Sequence, residues 1–557
     1  MPAAEMAGAI REKRLSPVEV VEAVLGRIEQ LNPRLNSYCT VTADAARAAA
    51  RDAEAAVMRG GTLGILHGVP VSIKDLVTTK GTRTTWGSKM FEHFVPEEDA
   101  PVVIRLKQAG AIVLGKTNTP EFGFKGVTDN PVFGPSRNPW SLGHTPGGSS
   151  GGGAAAVAAG MGPLAVGTDG GGSIRIPCSC CGIFGLKPTL GRVAAAPVYG
   201  GLDTLSHTGP MTRTVRDAAL MMNAIAGPDA RDLSSLPGEG VDYTADLDRG
   251  IAGLRAAWTP DWGYAAVDPE TRRIAEAGAK RFGDIACRVE EAAPGFSNPE
   301  HAFDVIFTAG YAARFGDKLA EWRDRLDPGF VYLMEAGMRW SAVDFINAAN
   351  WRRTLSDAVC ALFNRYDLLL TPTLTAPPLP VGVNFYEEIG GRKVSPTGWY
   401  AFTFPMNLTG FPAATVPCGR TACRLGCRSS GRASPRRSSC GRRPRSKRSR
   451  PGAISVRRSS SAASPTSGSG WRGRACGDSP QRALDAWAYG VSQCAHKDRA
   501  WTHWACQITC RERTASASAG VRRRDPHGCL PRRSLTGRNT QHHEVGFASL
   551  CACNGGR

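Results

Sequence analysis

An α/β fold, with a sheet covered by helices on both faces, is what the sequence predicts, and three observations carry it. Along residues 1–420, apolar runs of helical period alternate with short β-branched runs. No window approaches about 18 consecutive apolar residues, the length a membrane-spanning helix needs. Charge in this stretch is balanced, at 41 Lys+Arg against 43 Asp+Glu, while residues 421–557 carry 27 against 6. The net charge of +19 over 557 residues therefore belongs to the tail, and the body gives no sign of a polyanion or membrane partner.

The elements follow in order. Ser16-Pro17-Val18-Glu19 is a capping box with proline at the first helical position, opening an amphipathic run through Val20, Val21, Val24, Leu25 and Ile28 that Asn32-Pro33 is expected to stop. An Ala-rich helix spans about Ala43 to Met58, closed by Gly60-Gly61. Val69 to Lys74 reads as a buried strand, Asp99 as the cap of a helix through Leu106, and Ala111 to Leu114 as the next strand. Helix and strand alternate again at Ala154–Ala159 with Leu164–Val166, at Val215–Ile225 with Leu254–Trp258, and at Leu368–Leu370.

Seven cysteines lie in the first 420 residues without framework spacing, and no charged segment followed by an apolar one opens the chain. A cytoplasmic protein with free thiols is the expectation. Cys178, Cys180 and Cys181 fit no zinc spacing and read as buried thiols.

Two glycine-dense segments dominate the middle of the body, Pro146 to Gly153 and Gly167 to Arg175, each with a serine at its tight point. Such glycines let backbone N–H groups approach a ligand closely, and the first segment runs into the start of a small-residue helix, where negative charge is favoured. An oxyanion site is one use of that pattern, and a flexible linker is the plain alternative. Gly110 to Thr117 satisfies the P-loop pattern, but its four intervening residues form an apolar strand rather than a loop. A nucleophilic serine needs a base, and no histidine in the body stands in a catalytic motif; His144, beside the Gly-rich loop, is kept only as a spectator. Lys74, after Val69, Val71 and Ile73, is the lysine best placed to be held neutral by burial, although on those residues alone a solvated charge at a strand end is the first reading.

Taken together, Val-Ser-Ile-Lys74-Asp, the Gly-Gly-Ser149-Ser-Gly-Gly loop, Gly-Thr-Asp-x-Gly-Gly-Ser173-Ile-Arg and the following Cys181 to Thr189 resemble the amidase signature. The spacings, 75 residues from Lys74 to Ser149 and 24 from Ser149 to Ser173, are similar to that family's, as are Gly115 to Asn118 and Asn138 to Trp140. The resemblance implies a central mixed sheet wrapped by helices and hydrolysis of a carbon–nitrogen amide bond. It implies that Ser173 attacks the carbonyl, that Ser149, held by a cis peptide, relays the proton to neutral Lys74, and that backbone N–H groups of Gly170, Gly171, Gly172 and Ser173 form the oxyanion hole. Ser150, Asp169 and Arg175 would support the loop. A small-molecule amide and water are the implied partners, with no metal or cofactor, and a homodimer is compatible.

Alternatives stay open: the amide-hydrolysing component of a tRNA-dependent amidotransferase shares these motifs, and Gly147 to Gly151 also reads as the G-x-S-x-G of a Ser-His-Asp hydrolase. Substrate is not readable; Phe303, Phe307, Tyr311 and Trp340 could line a pocket, but most of them read first as core-packing residues.

From about Thr421 the text turns to Arg, Ser, Pro and Gly with little periodicity and ten cysteines. A nucleic-acid-binding protein would rest on this tail alone. In similar amidases a Val-Pro-Cys-Gly segment is followed by Gly-Leu-Pro-Val-Gly-Leu-Gln-Ile-Val-Gly; Val416 to Gly419 is present here without that sequel. A permitted coding of Cys423 to Gly431, read one base earlier, gives Met-Pro-Ala-Gly-Leu-Gln-Ile-Val-Gly. A frameshift between about Pro417 and Cys423 is therefore expected, dividing the chain into an amidase domain, 1–420, that has lost its closing strand and helix, and an out-of-frame, disordered tail, 421–557.

Overall fold

In the computed structural model, which describes residues 1–197, 203–238, 240–245, 247–419 and 504–510, helix starts follow the caps written in the sequence. Ser16 Oγ accepts from the N–H groups of Val18 and Glu19 and the Glu19 carboxylate accepts from Ser16 N–H, opening the helix Pro17–Leu35. That helix does not stop at Asn32-Pro33. A proline so near the end removes a single N–H bond, and the chain turns only at Asn36, in the left-handed conformation. Asp99 does not cap its helix, Pro101–Gln108, because its carboxylate accepts from Lys80 N–H and Lys107 Nζ instead.

Thirteen strands are formed by the described residues: β1 (Tyr38–Val41), β2 (Pro70–Lys74), β3 (Ile112–Thr117), β4 (Leu164–Asp169), β5 (Phe184–Lys187), β6 (His207–Thr212), β7 (Arg255–Trp258), β8 (Arg288–Glu291), β9 (Leu368–Pro372), β10 (Glu388–Ile389), β11 (Arg392–Lys393), β12 (Ala413–Gly419) and β13 (Trp504–Cys510). All but the β10–β11 pair join one sheet of 11 strands in the order β1-β3-β2-β4-β6-β5-β12-β13-β9-β7-β8. The sheet is mixed: β2 runs parallel to β3 and β4, β7 parallel to β8 and β9, and the centre from β4 to β9 is antiparallel. Val71 and Ile73 pack with Leu164 and Val166 on one face, while Ala165 packs with Ala154 and Ile174 on the other. Both faces are therefore covered, as the unbroken apolar strands require.

β13 corrects an expectation. The slot beside β12 is not left open: Trp504–Cys510, from deep within the basic tail, fills it, pairing Thr415 with Gln507 on one side and Gln507 with Thr371 on the other. Residues 504–510 are thus part of the fold. The disorder expected of the rest of the tail concerns residues that lie outside those described.

Candidate active site

Lys74 ends β2 with no exposed surface. Its Nζ lies 2.7 Å from Ser149 Oγ, 2.9 Å from Thr168 Oγ1 and 3.4 Å from Thr168 O. Burial pushes its pKa well below the usual lysine range, opposed by the Asp169 carboxylate. The amine is thereby held toward its neutral form, with a lone pair available to a hydroxyl proton.

The two glycine-dense loops are tied to each other. Ser150 N–H donates to Ser173 O, and Ser150 Oγ donates to Thr168 O at 3.1 Å. The peptide between Gly148 and Ser149 is cis, as the resemblance implies. Glycine is required here by contact as well: a Cβ on Gly148 would lie 2.6 Å from Val127 O, and one on Gly152 would lie 2.4 Å from Asn118 N. Ser149 and Ser173 line one cavity.

Asp169 and Arg175 brace the second loop from beneath. Both are fully buried, and the guanidinium spends its five N–H donors on Asp169 Oδ2 (2.9 Å), Asp169 Oδ1 (3.0 Å), Asn407 Oδ1 (2.6 Å), Thr403 O (2.8 Å) and Gln507 Oε1 (3.0 Å). Burial alone would raise the Asp169 pKa, but Arg175, Lys187 and Asn407 outweigh it and hold the carboxylate below its ordinary range. Asp169 Oδ1 also accepts from Gly172 N–H at 2.7 Å. That bond corrects one expectation: Gly172 N–H is turned down into the brace and is not a donor to the cavity.

Other sequence candidates take structural places. Lys116 of the P-loop look-alike is buried in β3 and donates to Val77 O, Thr79 Oγ1 and Thr84 Oγ1. His144 pairs with Ser141 Oγ at 2.8 Å. Ser149 meets a lysine rather than a histidine, against the Ser-His-Asp alternative. Burial raises the pKa of Cys178 and of Cys180, and among the described residues no cluster of His, Cys, Asp and Glu could hold a metal. Sequence reasoning missed Thr168, Asn407 and Gln507. Thr168 stands inside a quoted motif and could have been found; Asn407 carries no local signal, and Gln507 lies in text that looked foreign.

The cavity over the serines has polar groups at its floor and six aromatic side chains, Phe122, Phe124, Phe303, Phe307, Tyr311 and Tyr400, in its wall. Three of the four aromatic candidates are thus pocket residues; Trp340 instead packs away, its indole N–H on Thr308 Oγ1. A second cavity shares Leu76, Phe122, Thr168, Ser206 and Tyr311 with the first and continues to Trp86 and Phe315. Lys125, in the wall, is held between Asp129 Oδ1 at 2.5 Å and Asp327 Oδ2 at 2.7 Å.

A serine hydroxyl on a desolvated amine, with a second serine in the same cavity, is equipment for acyl transfer, the class of a serine hydrolase with lysine in the place of histidine. Comparison with known proteins narrows this. The sequence model of the amidase family matches residues 19–427, and the chain belongs to that family, whose reaction is hydrolysis of amide bonds. It is 39% identical to an acylamidase of Rhodococcus erythropolis over 76% of this chain and 89% of the relative. It is also 35% identical to the A component of the glutamyl-tRNA(Gln) amidotransferase of Pseudomonas putida, over 75% of this chain and 90% of that one. A solved bacterial aryl acylamidase of the amidase signature family superposes with a TM-score of 0.71 at 34% identity, covering 75% of this chain and 90% of that one. Peptide amidase from Stenotrophomonas maltophilia gives 0.66 at 29%, covering 76% and 91%. Among the described residues, no helix is long and apolar enough to cross a membrane.

Proposed function

We propose that the chain hydrolyses amides with apolar or aromatic substituents through an acyl-enzyme on Ser173, with Ser149 and Lys74 as the proton relay. The contact that carries this reading is the 2.7 Å approach of Lys74 Nζ to Ser149 Oγ at a fully buried lysine. As Ser173 Oγ attacks the carbonyl carbon, its proton passes to Ser149 while the Ser149 proton passes to the neutral amine of Lys74. The N–H groups of Gly170, Gly171 and Ser173 receive the oxyanion. Collapse breaks the C–N bond, and the leaving nitrogen takes the proton back through Ser149. Water then attacks the ester with the same relay as base, releasing the acid.

Aromatic walls support an uncharged substrate. Free glutamine, the amide donor of the amidotransferase reading, carries an ammonium and a carboxylate, whereas Lys125 in the wall is already neutralised by two aspartates. An amide panel comprising p-nitroacetanilide, benzanilide and glutamine tests both points. Anilides are expected to be cleaved and glutamine spared, with Ser173→Ala and Lys74→Ala each lowering kcat/KM by at least ~10³-fold. Full activity in Ser173→Ala would sink the mechanism, and preference for glutamine would sink the substrate class.

A further inference from the structure

We infer that Gln507 is a positioning residue for acylation, delivered to the site by a strand from the basic tail; the inference rests on the proposed role of Ser173. In β13, side chains alternate between two destinations: Cys506, Ile508 and Cys510 enter the apolar core, while Gln507 points to the buried brace beneath the glycine loop. Gln507 Oε1 accepts the fifth N–H of Arg175 at 3.0 Å, and its Nε2 donates to Phe402 O at 2.9 Å. Gln507 is 1% exposed, so bulk water does not reach the two bonds to replace it.

The brace reaches the nucleophile by three hydrogen-bonded steps and one covalent step. Gln507 orients the guanidinium, the guanidinium fixes both oxygens of Asp169, and Asp169 holds the N–H groups of Gly172 and Ile174 on either side of Ser173. Phe402 and Thr403, whose carbonyls accept from Gln507 and Arg175, lie next to the Thr403 hydroxyl that donates to Gly171 O at 2.6 Å. One amide side chain therefore closes two routes into the same glycine loop. The order Gln-Ile, which the second reading frame would place in Leu-Gln-Ile-Val, recurs in β13 as Gln507-Ile508.

Labelling by phenylmethanesulfonyl fluoride tests this in the full 557-residue protein without knowledge of the substrate. The Ser173 oxygen bonds to sulfur, the S–F bond breaks, fluoride leaves, and the proton passes to the relay. Endpoint stoichiometry counts intact sites, and the rate constant reports how well Ser173 is placed. Gln507→Met keeps the volume and loses both hydrogen bonds; it is expected to reach the wild-type endpoint at least tenfold more slowly. Gln507→Glu, which restores an acceptor for Arg175, is expected to recover part of that rate. A wild-type rate in Gln507→Met overturns the proposal, and so does a lower endpoint with an unchanged rate, which is the signature of a purely structural strand. Absence of label at Ser173 in the wild type would instead remove the nucleophile assignment. Hydrogen exchange on the unmodified protein adds a test free of variants: peptides covering 504–510 should be protected like those of β12, and exchange at the rate of a free peptide overturns the proposal.

Discussion

A charged amine costs several kcal/mol to bury without a full set of partners, and the partners of Lys74 are hydroxyls and a carbonyl rather than a paired carboxylate. Two outcomes follow from its depressed pKa. The proposed relay requires the neutral amine, so kcat/KM should climb with pH through that depressed pKa and then level off; a tenfold rise per pH unit continuing to pH 10 would contradict it. Stability follows the same proton. Between the folded pKa and the ordinary value near 10.5, the unfolded chain binds more protons, so the lysine's contribution to stability improves as pH rises and is poorest below both values. Lys74→Met removes that burden and is expected to raise Tm by roughly 2–4 °C at pH 7 while abolishing hydrolysis, read by a thermal melt. The meeting of Lys74 with Ser149, and of Ser149 with Ser173 in one cavity, was legible because their motifs and spacings had to agree together. The error at Gly172 has a local cause: a motif names residues but not which way each N–H points, and Asp169, three positions earlier, captures this one.

Elements with strong local signals formed close to where the sequence placed them, as the helix Val215–Ile225 shows, starting at Thr214, whose hydroxyl accepts from Asp217 N–H. β6 was hidden because it contains Gly209-Pro210, a pair that argues against a central strand; Pro210 nevertheless pairs opposite Val166. β13 was hidden by its surroundings, since seven strand-compatible residues sit among Arg- and Ser-rich text. Composition averages over a window wider than one strand. Ile508 is fully buried in the core against the central strands, so Ile508→Ala should cost about 2–5 kcal/mol in a denaturant titration. A change below about 0.5 kcal/mol would mean that β13 is not in the sheet.

At the scale of the whole molecule, β13 is the strand that joins those from β1 to β12 with those from β9 to β8. A chain ended at residue 503 would present two unpaired antiparallel edges and the apolar surface under Ile508, and should lose its single cooperative melt and aggregate. A sharp melt in that truncated chain would contradict the assignment. Resequencing the gene bears on the same strand: an open second frame reading Met-Pro-Ala-Gly-Leu-Gln-Ile-Val-Gly from Ala422 would put a competing Gln-Ile segment directly after β12, and a closed one would remove the frameshift expectation. The place of β13 also sets a timetable for synthesis. β12 leaves the ribosome long before its partner, because residues 420–503 must be translated between them. Helices that precede β12 can gather early, but the edge of β12 stays unpaired until residue 510 has been made, and bringing together segments so far apart in sequence is slow. Yield of this protein should therefore rise with holdase chaperones and fall as translation slows, more than its final contacts would suggest.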